Sequence, residues 1–426
     1  MSLSHRRLYF AIFLMLFVAL SFFIVAYAMG WRYNFKNSSL VRVGAIYLDS
    51  TPADAHIYLD GVLAKKTTPD TINNLQPNIY SLEITKEGYL SWKTNAVVAY
   101  SALTRLQNIF LVKVSDPPNL AVSGNFIDMS SSPNKEMLGL FGKNELTILR
   151  IKDGSVINTK IFPADISSID WSFDSMAVLV TLTDNEFIYY TPINSEIVNL
   201  NEGISQPVEK ANWSRKNNHT VIAYTVSSVY SLNVSEAPVP ILPPVGLLYT
   251  DNQLFFTSDG EKINVTKNGK LINSLSSHSA SPLQIFNVTD NLIGLTDSAS
   301  KTGYIYNIKT NQFIVFAHPI KNIIPDQTAN ALLVTNDNEI WRMDTEQGSV
   351  ELLNRTAMPL MSADWALSGH YLSTIHSLNE LKVNEIDRIA QNTYSFDIPH
   401  CTKILNFDAY TKSALLCETG MYFMRY

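Results

Sequence analysis

The heptapeptide IDWSFDS at residues 169–175 decides the fold, because it recurs along the C-terminal part of the chain. Related versions are ANWSRKN at residues 211–217 and ADWALSG at residues 363–369, and weaker copies begin near Asp128, Thr250, Asn291, Asp326 and Asp408. Counted from Asp128, Asp170 and Asn212 the copies are 42 residues apart, and the other intervals are about 35–44 residues. Self-similarity at such a period indicates a repeat architecture.

The second repeat shows what one unit contains. Apolar runs at residues 177–182, 187–190 and 197–200 are separated by turn residues, including Asp184-Asn185. With the entry strand that carries Trp171, this makes four strands in about 40 residues, the size of a propeller blade. The chain is therefore predicted to be all-β apart from its N-terminus, with a β-propeller over residues 118–426. The motif resembles the W-S-P-D-G blade turn of TolB-like and WD40-like propellers.

The number of blades follows from the unit starts. Eight starts predict eight blades, and seven remain if one weak unit is a hairpin insertion. The last unit, from about residue 402, has room for only three strands. Because a closed ring leaves no free edge, we expect a strand near residues 119–122 to complete it.

The N-terminal segment predicts a membrane helix. Residues 8–30, LYFAIFLMLFVALSFFIVAYAMG, form 23 positions without a charge, enough to span a bilayer core. We assign residues 1–7 to a cytoplasmic tail, 8–31 to a transmembrane helix and 32–43 to a linker. Ala26-Tyr27-Ala28 also fits the cleavage site of a signal peptide, although the apolar run is longer than usual for one. Both alternatives export the domains.

The orientation of the helix is nearly balanced. Arg6 and Arg7 precede the apolar run, and Arg32, Lys36 and Arg42 follow it. The positive-inside rule barely decides between the two directions. The short basic tail favours an N-terminus inside, which predicts a single-pass cell-membrane protein with its bulk outside the cytoplasm.

Residues 44–114 predict a small β-sandwich, because five or six short strands alternate with turns. Its stretch STPADAHIYLDG, residues 50–61, allows two interpretations. As a strand it places His56, Tyr58 and Asp60 on one face, a set that could bind a metal or exchange protons. As a scaffold it is a turn followed by a strand that directs Ala55 and Ile57 into a core.

This region resembles the PEGA domain, whose pattern is roughly S-x-P-E-G-A-x-V-Y-I-D-G, then T-P, then L-x-P-G-x-Y-x-V-x-I-x-K-x-G-Y. The matching residues are Ser50, Pro52, Ala55, Tyr58, Asp60, Gly61, Thr68, Pro69, Leu75, Pro77, Tyr80, Ile84, Lys86, Gly88, Tyr89 and Trp92. Asp54 and Asn78 replace two glycines, and both residue types tolerate positive φ. The resemblance implies an extracytoplasmic β-domain of prokaryotic envelope proteins with no assigned catalytic residues, which favours the scaffold interpretation.

Composition excludes several classes of function. Hydrophobic residues make up 46% of the chain, so it is folded, and the net charge of −6 argues against nucleic acid as a partner. The eight histidines form no metal-binding spacing, although His370 and His376 share a strand region. The acidic turns at residues 183–186 and 335–339 are interpreted as hairpin turns and not calcium loops. We expect no cofactor, no metal and no catalytic constellation.

The two cysteines are placed symmetrically about Ala409. If residues 408–412 form a hairpin turn, Cys401 and Cys417 face each other across adjacent strands. An oxidising compartment would then allow a disulfide that clamps the last blade. Two buried thiols in offset register are the alternative.

Two functions fit these features. The first is an envelope-anchored scaffold or binding protein that contacts the bilayer through its helix and an envelope protein or glycan through its propeller. The second is an exported propeller enzyme, a hydrolase or lyase, with its site at the central channel. Asp170, Asn212 and Asp364 begin equivalent entry strands and are the candidate channel-lining residues. Convergence of their side chains in one deep pocket would favour the enzyme.

Overall fold

The computed structural model describes most of the 426 residues. The described residues are all except 1–2, 35–38, 115, 215–218, 226–227, 234–237, 242–247, 250–253, 259–260, 268, 277–283, 290–291, 298–301, 317–319, 327–330, 387–389, 408–410 and 426. Chain contacts divide it into two compact units. Unit 1 comprises Met1–Ser115 with Asn384–Thr393, and unit 2 comprises Asp116–Val383 with Tyr394–Arg425. The repeat copies predicted near Thr250, Asn291 and Asp408 begin outside the described residues.

Unit 1 starts with helix α1, Leu3–Ala28, followed by a two-stranded hairpin of β1, Trp31–Asn34, and β2, Ser39–Arg42. The helix carries a 23-residue span of mean hydropathy 2.8, and none of it is buried in the protein. It is long and apolar enough to cross a membrane. The predicted linker at residues 32–43 is partly wrong, because most of β1 and all of β2 lie within it and pair with each other.

Two sheets form the sandwich of unit 1. Its strands are β3 Gly44–Thr51, β4 His56–Leu59, β5 Val62–Thr67, β6 Asp70–Leu75, β7 Asn78–Thr85, β8 Trp92–Val98 and β9 Leu103–Phe110. One sheet has the order β6-β3-β9, with β3 and β9 parallel, and the other has the order β5-β4-β7-β8. Buried Ile46, Ile57, Leu82 and Trp92 belong to one hydrophobic cluster shared by both sheets. Because each sheet contributes one apolar face, the pair buries a common core.

The PEGA-like stretch is a scaffold element. Ala55 and Ile57 are fully buried, whereas His56 is exposed. The Thr68 hydroxyl lies 2.6 Å from that of Ser50 and accepts the Ala55 amide at 3.1 Å, which fixes the turn before β4. Asp54 has a φ of 60°, as expected of a glycine position. Asn78 was expected to occupy the other turn position with positive φ. In the structure it instead begins strand β7.

A distant segment completes unit 1. Residues Asn384–Thr393 belong to it by their contacts, which corrects the predicted domain boundary at residues 118–426. The buried Trp92 indole donates to Glu385 Oε1 at 3.0 Å, and Asn392 Nδ2 donates to the Lys93 carbonyl at 3.1 Å. Ala390 joins the hydrophobic cluster of the sandwich. The segment therefore supplies both polar and apolar contacts to the PEGA-like core.

Unit 2 is built from short antiparallel strands. Its first half contains β10 Asn119–Ser123, β11 Asp128–Ser131, β12 Met137–Phe141, β13 Glu145–Arg150, β14 Val156–Ile161, β15 Ile166–Trp171, β16 Val178–Leu182, β17 Phe187–Thr191, β18 Glu196–Asn199, β19 Val208–Trp213, β20 Thr220–Thr225, β21 Val229–Asn233, β22 Val239–Ile241, β23 Leu248–Tyr249, β24 Leu254–Ser258, β25 Lys262–Lys267 and β26 Lys270–Ser276. Its second half contains β27 Gln284–Thr289, β28 Leu292–Asp297, β29 Thr302–Asn307, β30 Gln312–Phe316, β31 Asn322–Pro325, β32 Ala331–Thr335, β33 Glu339–Asp344, β34 Val350–Arg355, β35 Ser362–Ala366, η1 Leu367–Gly369 (a 3₁₀ turn), β36 Tyr371–Ser377, β37 Glu380–Glu385, β38 Thr393–Asp397, β39 Cys401–Phe407, β40 Lys412–Cys417 and β41 Gly420–Arg425.

Within the described residues these strands form eight four-stranded sheets. Sheets 1 to 7 each take four consecutive strands, from β11–β14 through β35–β38. Sheet 8 has the order β10-β41-β40-β39 and so combines both ends of the unit. The prediction that a strand near residues 119–122 completes the last three-stranded unit is confirmed.

Most of the sheets pack against the next one in sequence order. Shared apolar clusters join sheets 1 and 2, 2 and 3, 4 and 5, 5 and 6, and 8 and 1. Strand β35 of sheet 7 contacts β32 of sheet 6 and β39 of sheet 8. Consecutive four-stranded meanders with a last sheet closed by the first strand form a β-propeller.

Three tryptophans of the repeat join neighbouring sheets. The indole nitrogens of Trp171, Trp213 and Trp365 donate to the carbonyls of Ser130, Asp170 and Ile324 at 3.0–3.1 Å. Each bond runs from the first strand of one sheet to the first strand of the sheet before it. The pattern aligns Ser130, and not Asp128, with Asp170, so the first interval is 40 residues instead of the predicted 42.

Candidate functional site

The three candidate channel-lining residues occupy the same place on different first strands. Asp170 lies on β15, Asn212 on β19 and Asp364 on β35, and each directly precedes a repeat tryptophan. The structure brings no two of these three described side chains into contact. Convergence in one deep pocket was the condition that would favour the enzyme, and the lining of a channel by these residues stays a prediction.

Asp364 belongs to a buried polar network between sheets 7 and 8. Its carboxylate accepts the Trp365 amide at 2.8 Å and the Asn406 amide of β39 at 2.7 Å. The Asn406 side chain donates to the Trp365 carbonyl and to the Ser373 hydroxyl, at 2.7 and 2.6 Å. Burial raises the pKa of Asp364 to about 6, although Lys135 and the two amides oppose the rise. Asp364 thus joins two sheets.

Asp170 has a different environment. Its carboxyl accepts the Trp171 amide, and no charged partner faces it among the described residues. The side chain is exposed to solvent, yet surrounding protein displaces enough water to raise its pKa to about 6. Asp170 can bind or exchange a proton near neutral pH.

Two further charged groups on first strands were missed from the sequence. Lys210 lies two residues before Asn212, and burial lowers its pKa. Lys403 Nζ on β39 lies 2.5 Å from Asp128 Oδ1 on β11, which links sheets 8 and 1. Neither lysine falls in the repeated heptapeptide, so only its spacing from the motif could have identified it.

The cysteines are joined. Cys401 and Cys417 are paired residues on β39 and β40, and a disulfide connects them. Both are buried, and the bond ties β39 to β40 within sheet 8. Part of the predicted turn, residues 408–410, lies outside the described residues.

A basic pocket opens where sheets 8, 1 and 2 meet. Its volume is about 940 Å³, and its lining consists of Asn134, Lys135, Glu136, Met137, Arg150, Ile151, Lys152, Ile157, Ile193 and Arg425. These residues come from strands and turns of sheet 1, from a turn of sheet 2 and from the end of β41. Sequence reasoning missed the pocket, because Arg425 joins the others only when the unit closes.

The remaining candidates from the sequence are the possible metal ligands, the acidic turns and the histidines. Among the described residues no group of three His, Cys, Asp or Glu side chains is placed to hold a metal ion. Asn185 has a φ of 64°, and Asn336 accepts the amides of Asn338 and Glu339, so both acidic segments form tight hairpin turns. His376 lies on β36, and desolvation lowers its pKa.

Residues 43–108 match the PEGA domain family. The match covers β3–β8 and most of β9, well under half of the chain. No curated protein matches the chain. Among solved structures, the β-propeller domain of Cps50 (Swd1) from Myceliophteria thermophila is similar at 13% identity with a TM-score of 0.48. That likeness covers 72% of this chain and 99% of that domain, and it carries no information about function.

Proposed function

We propose that the protein is a membrane-anchored extracytoplasmic scaffold or binding protein of a prokaryotic cell envelope. The observation that carries the proposal is an exposed apolar helix that is followed, after a short hairpin, by a PEGA domain. The Val43 amide donates to the Gly30 carbonyl at 2.9 Å, and the Ser101 hydroxyl donates to the Met29 carbonyl. These bonds fix the helix end to residues just before β3 and β9.

Residues at the end of α1 favour an anchor over a cleaved signal peptide. The Arg32 guanidinium lies 3.5 Å from the centre of the Tyr27 ring and donates to the Tyr27 carbonyl at 2.7 Å. The Arg42 guanidinium lies 4.7 Å from the centre of the Trp31 ring. Arginine and aromatic side chains next to an apolar span suit the headgroup region of a bilayer. Cleavage after Ala28 would remove the Tyr27 partner of Arg32.

Unit 2 is the part that would bind a partner. We infer an eight-bladed propeller, one blade for each four-stranded sheet, with an affinity to TolB-like or WD40-like propellers. Shared apolar clusters and tryptophan bonds make its sheets a rigid support for the connecting turns. Loops on a rigid support are well suited to recognition. The proposed partner is an envelope protein or a glycan, and no nucleic acid is expected.

Asp170 supports a second candidate, an exported hydrolase or lyase. A solvent-exposed carboxyl with a pKa of about 6 is suited to general acid catalysis. Glycoside hydrolysis ordinarily needs two carboxyls, and Asp364, at the same repeat position, is committed to the contact with Asn406. The binding function is therefore the stronger proposal.

The experiment uses the full chain expressed in a bacterial host. We expect the intact mass of the chain in the membrane fraction, protease access from outside the cell, and recovery of a protein or glycan by crosslinking. In a Leu16→Lys/Phe17→Lys variant, two charges within the apolar span should abolish membrane insertion, while the matched Leu16→Ala/Phe17→Ala variant should insert. A cleaved chain, or turnover of a glycan or peptide without any crosslinked partner, would refute the scaffold proposal.

A further inference from the structure

The basic pocket is assembled by closure of unit 2. Residues 134–137 follow the first strand of sheet 1, residues 150–152 follow its third strand, and Ile193 lies in a turn of sheet 2. Arg425 ends β41, which sheet 8 holds between β10 and β40. A cavity of about 940 Å³ is in the range that accommodates a short peptide or another small ligand.

Positive charge dominates the pocket wall. Arg150, Lys152 and Arg425 are exposed, and Glu136 is the carboxylate of the lining. Asn134 Nδ2 donates to Glu136 Oε2 at 3.1 Å, so that carboxylate already has a partner. The whole chain has a net charge of −6, which makes this concentration of cations a local exception. Arginine pairs with carboxylates through two parallel hydrogen bonds.

Two more lysines, on the side of the lining that faces the protein interior, form hydrogen bonds that stabilise the pocket wall. Lys135 Nζ donates to the Ser131 hydroxyl at 2.9 Å and lies 5.7 Å from the centre of the Phe407 ring, so its ammonium group is directed inward. The buried Lys412 ammonium donates to the Ile151 carbonyl and to the Lys152 carbonyl, the latter at 3.2 Å. These bonds hold the turn between Arg150 and Lys152 in place before any ligand binds.

The rest of the lining selects among anions. Its apolar members are Met137, Ile151, Ile157 and Ile193, and Ile193 is 70% exposed. The described lining contains no aromatic ring, and Asn134 is its neutral polar side chain. Such a surface therefore offers no aromatic face on which a sugar ring could stack. Carboxylates alternating with apolar side chains fit the cations and isoleucines together.

We propose that this pocket binds an acidic peptide segment of a partner protein, with carboxylates on Arg150, Lys152 and Arg425 and apolar side chains on Ile157 and Ile193. The proposal rests on the proposed binding function and gives the chemistry of the partner. Since the three cations are exposed, their removal leaves the packed sheets unchanged.

The test is a fluorescence anisotropy titration of the full chain in detergent. The probe is a fluorescein-labelled hexapeptide of alternating glutamate and leucine, and its glutamine analogue is the uncharged reference. We expect binding to the glutamate peptide that weakens with added salt and is lost with the glutamine analogue. The Arg150→Gln/Lys152→Gln/Arg425→Gln variant should bind at least about tenfold more weakly.

A matched variant controls for the change in net charge. Lys143→Gln/Lys267→Gln/Lys309→Gln removes three exposed cations outside the pocket and should bind as the wild type does. The proposal would be overturned if both triple variants weakened peptide binding equally. It would also be overturned if the wild-type protein did not bind the glutamate peptide. If the wild-type protein binds phosphatidylglycerol vesicles but not the peptide, and the Arg150→Gln/Lys152→Gln/Arg425→Gln variant does not bind the vesicles, the site would be assigned to a lipid instead. If crosslinking still recovers an envelope protein in these cases, the scaffold function stands and only the pocket assignment fails.

Discussion

Asp364 and Asp170 occupy equivalent positions of the repeat and have different roles. Asp364 is 4% exposed and holds the amides of Trp365 and Asn406, so it joins sheets 7 and 8. Asp170 is exposed, and its carboxyl accepts the Trp171 amide. A repeat fixes where a side chain lies, while the neighbouring sheet determines whether it becomes structural.

The sheets around Asp170 and the sheets around Asp364 are also joined by different kinds of contact. Sheets 1, 2 and 3 share apolar clusters and two tryptophan–carbonyl bonds. The contact of sheets 7 and 8 adds a buried network of Asp364, Asn406, Ser373 and Ser413, together with a disulfide inside sheet 8. Sheet 8 closes the unit with strands from both ends of unit 2, so we expect its contacts to limit the stability of the unit.

The largest expected effect is the loss of the Asp364 carboxyl. The Asp364→Ala variant leaves two buried amides unpaired, and we expect about 2–4 kcal/mol lower free energy of unfolding at pH 5. Urea unfolding of the full chain in detergent, followed by tryptophan fluorescence, measures it. The matched Asp170→Ala variant should lose less than about 1 kcal/mol, because water can reach the freed amide. Equal losses would remove the distinction between the two positions.

The Asp364 effect should depend on pH. Burial raises its folded-state pKa from 3.8 to about 6, so the folded state binds the proton more tightly than the unfolded state. This contribution is fully present below about pH 4 and is lost as the pH rises through about 6. The difference between wild type and Asp364→Ala should therefore be smaller at pH 8 than at pH 5. A larger difference at pH 8 would contradict this assignment of the protonation state.

The next effect concerns the disulfide of sheet 8. Replacing both cysteines in a Cys401→Ser/Cys417→Ser variant should lower the free energy of unfolding by about 3 kcal/mol, since the bond closes a short loop of the unfolded chain. The wild-type protein under reducing conditions should approach the variant. Unchanged stability in the variant would show that β10 and β41 hold sheet 8 closed without the bond.

The tryptophan bonds should contribute less individually. Trp213→Phe removes the hydrogen bond to the Asp170 carbonyl and part of the packed ring, with an expected loss of about 1–2 kcal/mol. Trp341→Phe is a matched control, because the Trp341 indole nitrogen has no hydrogen-bond partner in the described part of the chain. Comparable losses from both variants would assign the effect to packing alone.

Much of this fold is predictable from local patterns. The spacing of the Trp171, Trp213 and Trp365 motifs predicts repeated sheets, and the three-stranded last unit predicts closure by the strand now seen as Asn119–Ser123. The alternation around Ala55 and Ile57 predicts a sandwich strand with His56 outside. These features follow from periodicity, which a single sequence displays directly.

The features that were missed depend on tertiary contacts. Nothing in residues 384–393 indicates that Glu385 pairs with the Trp92 indole, because the two are distant in sequence. Ser130 aligns with Asp170 only through the indole bond of Trp171, and Arg425 reaches Arg150 and Lys152 only through closure. The sequence likewise could not separate Asp364 from Asp170, since the difference lies in the Asn406 amide of the next sheet.

The smallest expected effect concerns the Asp170 carboxyl itself. Desolvation raises its folded-state pKa from 3.8 to about 6, so ionisation at pH 8 costs stability that is absent below about pH 4. The Asp170→Asn variant removes this cost and should stabilise the protein at pH 8 by less than about 1 kcal/mol, because solvent at this exposed position screens the charge. At pH 4 it should match the wild type. Thermal unfolding at both pH values measures the difference. Destabilisation at pH 8 would mean that the ionised carboxylate has a favourable partner, and Asp170 would then be structural like Asp364.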